Sequence, residues 1–166
     1  MIEIGIGLGS NIGDKAAQIF KAVNLLNAGG HVRNLRLSSL YRTAPWGNID
    51  QDWFVNACAI AQTDLSPERL LHEIQRVELE MGRERIVHWG PRNIDIDILY
   101  YGDARVETPD LTLPHVELLN RAFVLVPLLE LKPDLLVGGQ PLKDALQKLS
   151  AVDVVRLPQP ANANAI

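Results

Sequence analysis

The sequence predicts an α+β sandwich: an antiparallel sheet with helices packed on one face and extra elements at the C-terminal end. Three observations predict it. Hydrophobic periods follow the order strand, helix, strand, strand, helix, strand. The 166 residues are 47% hydrophobic and 22% charged, enough for one core without staples. No internal repeat or linker divides the chain.

Residues 2–8 form a short apolar run punctuated by glycines, a buried strand entering a turn. Ala16, Ile19, Phe20, Val23 and Leu26 recur at helical spacing, and Gly29-Gly30 stops that helix. Residues 32–41 read as one strand, with Leu35 and Leu37 alternating. Residues 43–52 hold Pro45, Gly47, Asn48 and Asp50 and predict a loop. In the strand over 54–62, a period of two puts Phe54, Asn56, Cys58 and Ile60 on one face. Ala57, Ala59 and Ala61 take the other, where small side chains admit a helix. Ser66-Pro67 caps a second helix with Leu70, Ile74, Val77 and Met81 as its apolar stripe and Gly82 as its stop.

Residues 83–93 are polar, basic and helix-breaking, hence a loop. A strand over 94–101 and a short hairpin-like stretch follow. A helix is expected over 123–131, ending near Pro133, and a weaker one after Pro141. The βαββαβ order is that of a ferredoxin-like sandwich. One domain is expected over 1–158, with 159–166 a disordered tail that has nothing to bury.

The totals exclude several classes. A net charge of −4 argues against a broad nucleic-acid-binding face. One cysteine, Cys58, allows no internal disulfide and fits a cytoplasmic setting. The first residues lack the basic region of a signal peptide. No apolar run reaches membrane-spanning length.

The chemistry concentrates in residues 92–98, Arg-Asn-Ile-Asp-Ile-Asp-Ile. On a strand Asp95 and Asp97 point the same way while Ile94, Ile96 and Ile98 point into the core. Adjacent carboxylates repel, and a divalent cation between them relieves the repulsion. Oxygen ligands that leave room for water and phosphate suit Mg²⁺. A polar outer strand face is the plainer reading. Trp89-Gly90-Pro91-Arg92 directly upstream favours the metal.

A scattered basic set, Arg83, Arg85, His88, Arg92, His115 and Arg121, can match phosphate oxygens, although surface solvation explains any one of them. Gly7, Gly9 and Gly13 are spaced GxGxxxG, which is not the dinucleotide fingerprint, and no P-loop motif is present. These glycines are expected to allow a tight turn beside a ligand. Asn56 on an otherwise apolar strand face can satisfy neighbouring backbone or read a heterocycle edge. Cys58 has no base nearby in sequence and reads as a packed thiol. Trp46, Trp53 and Trp89 fall in or beside loops, as ligand covers or hydrophobic anchors.

Together these pieces resemble the hydroxymethyldihydropterin pyrophosphokinase family. The matching segments are GLGSN (7–11), SSLYRTAPWG (38–47), WFVNACA (53–59), EIQRVELEMGRER (73–85), HWGPRNIDIDIL (88–99) and TLPHVELLNRAFVLVPLLEL (112–131). The resemblance implies the ferredoxin-like fold and the conversion of ATP and 6-hydroxymethyl-7,8-dihydropterin to AMP and the pterin diphosphate in folate biosynthesis. It implies that Asp95 and Asp97 hold two Mg²⁺ ions, with Arg83 and Arg92 sharing the catalytic work. It implies an ATP site of Gln75, Glu78, Arg85, Trp89, Arg92, Ile98, His115 and Arg121. It implies a pterin site of Thr43, Pro45, Trp46, Phe54, Asn56, Trp89, Asp95 and Phe123, with the two phenylalanines sandwiching the ring and Asn56 reading its edge. Trp89 then becomes a lid residue, and the loop over 83–92 is expected to order only when both substrates are bound. A monomer that meets only small-molecule substrates, neither nucleic acid nor membrane, is expected.

The competing reading is a non-catalytic ferredoxin-like module for a small ligand or RNA. RNA binding needs a basic or aromatic sheet face. A purely regulatory module has no need of paired carboxylates beside several arginines.

Overall fold

A computed structural model of the chain describes residues 1–43, 53–82 and 94–158. Strand β1 (Ile2–Ser10) buries Ile4, Ile6 and Leu8 on one face and carries Gly5, Gly7 and Gly9 on the other. Helix α1 (Lys15–Ala28) starts where the Asp14 side chain accepts the Ala17 N–H at 3.1 Å, and it buries Ile19, Ala22, Val23 and Leu26. Gly30, at φ +79°, turns the chain into β2 (Val32–Leu37). Strands β3 (Tyr41–Thr43) and β4 (Phe54–Thr63) follow, then α2 (Pro67–Glu80) and β5 (Asp95–Tyr101). The Ser66 hydroxyl accepts the Arg69 N–H at 3.3 Å, and Pro67 opens α2 as expected.

The single strand expected over 32–41 is two. Leu37 pairs with Ala59 and Tyr41 with Asn56, so Ser38, Ser39 and Leu40 oppose only Ala57 and Cys58. This bulge is held by a reciprocal pair: Ser38 N–H donates to Cys58 O at 2.8 Å, and Cys58 N–H donates to Ser38 Oγ at 3.0 Å.

The sheet runs β10-β3-β4-β1-β5, with β2 also paired to β4, and every pairing is antiparallel. That is the ferredoxin-like arrangement. Helices α1 and α2 cover one face over Ile4, Ile6, Leu8, Ala57, Ala59, Ala61, Ile94, Ile96 and Ile98. The alanines let the helices approach, and the isoleucines fill the layer between.

The C-terminal additions divide between the layers. The hairpin β6–β7 (Val106–Glu107, Thr112–Leu113) packs Val106, Leu111 and Leu113 against the helix-side core, and β10 (Val155–Arg156) adds an edge strand beside β3. A 3-10 turn (Leu118–Asn120), α3 (Ala122–Leu131), the hairpin β8–β9 (Leu136–Val137, Gln140–Pro141) and α4 (Leu142–Gln147) go to the opposite face. Val124, Leu125, Leu128 and Leu142 build a second core there on Cys58, Ile60, Leu99 and Tyr100. Glu130 docks α3 onto the bulge by accepting from Ser39 N at 2.9 Å, Ser39 Oγ at 3.1 Å and the Tyr41 hydroxyl. A register shift in β5 lets both Leu99 and Tyr100 join this core. Gly5 makes room for the Tyr100 ring, whose Cε1 would lie 2.3 Å from a Cβ at that position.

Burial first, and then the neighbouring carboxylates, raise the Tyr41 phenol (beside Glu130) and the Tyr100 phenol (beside Glu3) well above the usual tyrosine range. In the unfolded chain both ionise near pH ~10. Their contribution to stability is therefore complete below that pH and is lost as pH rises above it, at about 1.4 kcal/mol per pH unit for each phenol. Denaturant midpoints followed from pH 8 to 11 should fall steeply above about 10. A flat profile would contradict the burial of the two phenols.

Candidate active site

Because α3 covers only part of the second sheet face, the end of that face bearing Asp95 and Asp97 stays open. Both aspartates are exposed on β5, while Ile94, Ile96 and Ile98 are buried beneath them. The alternation expected from the sequence is present. Residues directly opposite one another in antiparallel strands share a face. The register therefore defines a row Tyr41–Asn56–Gly9–Asp95 and, beside it, a row Cys58–Gly7–Asp97. Asn56 and Asp95 stand on the two strands that flank β1, with only glycine between them.

The expected pterin residues gather at the β3–β4 end. Thr43 lies opposite Phe54, and the Asn56 amide nitrogen donates to Thr43 Oγ1 at 2.8 Å, with both polar residues 8% exposed. Phe123 lies in the first turn of α3, half-buried, with the Arg121 guanidinium 5.6 Å from its ring centroid. The adjacent Val124 carbonyl accepts from the Cys58 thiol at 3.5 Å, which fixes α3 over this sheet face.

His115 sits at the outer edge of β5, where its N–H donates to Leu99 O at 2.9 Å. Its Nδ1 accepts the Glu117 N–H at 3.1 Å. With Nδ1 accepting there, Nε2 is the ring nitrogen left to donate on the far side.

The remaining ATP-site residues divide. Gln75 is exposed on α2. Glu78 is only 4% exposed, and its Oε2 accepts the Ile96 N–H at 3.2 Å, tying α2 to the stretch between the two aspartates. Ile98 has its side chain in the helix-side core, so what it can offer a ligand is main chain. Pro45, Trp46, Arg83, Arg85, His88, Trp89 and Arg92, with the lid over 83–92 and the tail over 159–166, lie outside the described residues. Trp53, just before β4, stacks under the Arg42 guanidinium at 4.7 Å.

The tight turn expected at Gly7 and Gly9 is corrected. Both lie inside β1, and only Gly13, at φ +65°, is in a left-handed turn. Sequence reasoning stopped at the spacing GxGxxxG. The missed signal is that Gly5, Gly7 and Gly9 recur at the period of a strand, leaving one face without side chains. Cys58 is the packed thiol expected: burial, then the nearby Asp97 charge, pushes its pKa far above the usual thiol range.

Among the described residues no three His, Cys, Asp or Glu side chains cluster tightly enough to hold a metal. Asp95 and Asp97 are a pair of hard oxygen donors on an open face. That suits Mg²⁺, which keeps waters and takes phosphate oxygens, and it does not suit an all-protein metal cage.

The comparisons with known proteins define the class, an ATP-dependent diphosphotransferase of a kind that generally uses magnesium. The chain belongs to the family described as 7,8-dihydro-6-hydroxymethylpterin-pyrophosphokinase, which it matches over residues 5–133. It is 49% identical over 157 residues to the 2-amino-4-hydroxy-6-hydroxymethyldihydropteridine pyrophosphokinase of Methylorubrum extorquens, covering 95% of this chain and 99% of that one. The enzyme of the same name from Haemophilus influenzae is 40% identical over 148 residues, covering 89% and 92%. The crystal structure of Plasmodium falciparum HPPK-DHPS with pteroate has the same fold, with a TM-score of 0.70 at 16% identity. The match covers 89% of this chain and 42% of that longer one. The chain is a transferase of folate biosynthesis that moves a pyrophosphoryl group from ATP to the pterin alcohol. The non-catalytic module is not favoured.

Proposed function

We propose that the two substrates meet on the open half of the second sheet face. The pterin lies at the Thr43, Phe54, Asn56 and Phe123 end, and ATP lies along the outer edge of β5, with Asp95 and Asp97 between them. The observation that supports this most is the register that points Asn56 and Asp95 the same way from the two neighbours of β1. In this reading Phe54 and Phe123 sandwich the ring and Asn56 reads its edge. Pro45, Trp46 and Trp89 complete the pocket, and Asp95 borders the pterin hydroxyl. Arg83, Arg85, Arg92, His115 and Arg121 hold the polyphosphate, while Gln75, Glu78, Trp89 and Ile98 line the nucleotide. His115 contributes as a donor through Nε2, because the Glu117 N–H occupies Nδ1.

Two Mg²⁺ ions held by Asp95 and Asp97 would neutralise phosphate charge when bound. The pterin hydroxyl oxygen attacks the β-phosphorus and its proton passes to solvent, while the bond from the β-phosphorus to the oxygen it shares with the α-phosphate breaks and AMP leaves with that oxygen. That displacement chiefly needs alignment and charge neutralisation, which arginines and carboxylate-bound metal supply without a covalent nucleophile. Arg83, Arg92, Asp95 and Asp97 carry it. The enzyme acts as a cytoplasmic monomer of one domain over 1–158, on small molecules, with no nucleic-acid or membrane partner. No helix among the described residues is long and apolar enough to cross a membrane.

Asn56→Ala tests the pterin end. Removing an edge-reading amide should weaken pterin binding by about 1–3 kcal/mol and leave ATP binding unchanged. Calorimetry that finds native pterin affinity in this variant would reject the pocket.

A further inference from the structure

We infer that Gly9 is a positioning residue for the Asn56 amide: its missing side chain is what lets that amide stand where it can read the pterin edge. The inference rests on the pterin site proposed above. Gly9 lies in β1 between Asn56 and Asp95. Its backbone is ordinary strand and not the left-handed conformation that demands glycine, so conformational freedom does not explain the residue. Space does. A Cβ on Gly9 would lie 2.9 Å from Asn56 Oδ1, closer than real Cβ contacts come, while the next atom, Val55 O, is at an ordinary 3.9 Å.

The amide cannot simply swing aside. Its nitrogen donates to Thr43 Oγ1 at 2.8 Å, and both partners are buried, so rotating the oxygen away from a new methyl breaks or strains that bond. The constraint is local to this position. At Gly7 the nearest atom to an added Cβ is Leu99 Cδ2 at 3.5 Å, an ordinary contact. At Gly5 the obstacle is the Tyr100 ring, which belongs to the core and not to the open face. A methyl at position 9 therefore displaces one polar tip and little else. The fold should survive it and the pterin-reading geometry should not.

The test is a double-mutant cycle on the full chain with magnesium, reading the Kd of the pterin substrate and of a non-hydrolysable ATP analogue by calorimetry, together with steady-state kinetics. Gly9→Ala is expected to keep near-native thermal stability and ATP-analogue affinity. Its pterin Kd and KM should rise by about tenfold or more, the scale of a lost edge hydrogen bond, with kcat at saturating pterin much less changed. In the Asn56→Ala background the same Gly9→Ala change should add nothing, because the group it displaces is gone. Native pterin affinity in Gly9→Ala, or an equal loss with and without Asn56, would overturn the inference. If Asn56→Ala alone leaves pterin affinity native, the pterin site itself is wrong. If Asn56→Ala weakens pterin but Gly9→Ala does not, only the role of Gly9 falls. Should Gly9→Ala not fold, the double variant decides: recovery of the fold with the pterin affinity of Asn56→Ala supports the inference, and failure of the double variant to fold contradicts it.

Discussion

Replacing Asp97 by alanine is expected to lower kcat by a factor of about 10²–10³, the scale seen when a group that stabilises transition-state charge is removed. The fold should remain intact, because the Asp97 side chain is exposed on β5 and its backbone pairs with Gly7 whatever the side chain. Far-UV circular dichroism and a denaturant midpoint near native, beside a collapsed turnover, would meet this expectation. The loss should appear in kcat more than in pterin affinity, since Asp97 is not among the residues proposed to line the pterin. A variant with near-native turnover would remove Asp97 from the catalytic set.

The second large effect is metal removal. Stripping divalent cations with a chelator should abolish turnover, and added magnesium should restore it fully. Among the described residues no three acidic, histidine or cysteine side chains form a group that could hold a metal, so water and phosphate oxygens are expected to complete the coordination. Metal affinity should accordingly be weak in the empty enzyme and strong with nucleotide bound. Manganese titration in the presence of a non-hydrolysable ATP analogue should count two ions per native chain and fewer in Asp97→Ala. Native turnover in excess chelator would contradict the role given to Asp95 and Asp97. A count of one ion would correct the stoichiometry.

Much of this architecture was legible because its periods are local. The Asp–Ile alternation over 94–98, the alternation of β4 and the Ser66-Pro67 cap each state their geometry within a few residues, and the structure has all three. What was not legible depends on partners far away in sequence. Residues 32–41 read as one strand because the bulge is set by Ser38 bonding Cys58 and Ser39 bonding Glu130. Glu78 was expected only as a nucleotide-site residue, and its burial beside β5, where it accepts the Ile96 N–H, has no local sign in the sequence. Helix α3 is nearly all apolar, so its sequence announces burial but not which side of the sheet it covers.

The site was read in the same uneven way. Asp95, Asp97, Asn56, Thr43 and Phe54 share one face because strand periodicity carries them there. His115 and Phe123 arrive through the C-terminal additions, whose placement follows from the second core and not from any local pattern. The glycines of β1 were visible as glycines, but their function as open space needed the register against β4 and β5 before it could be stated.

The measurement that bears most directly on the central claim is phosphorus NMR of a single turnover with ATP, magnesium and 6-hydroxymethyl-7,8-dihydropterin. Attack at the β-phosphorus with departure of the α-phosphate side predicts AMP as the first nucleotide product, formed in step with a diphosphate ester on the pterin. ADP as the primary product, with a pterin monophosphate beside it, would mean attack at the γ-phosphorus and would contradict the account.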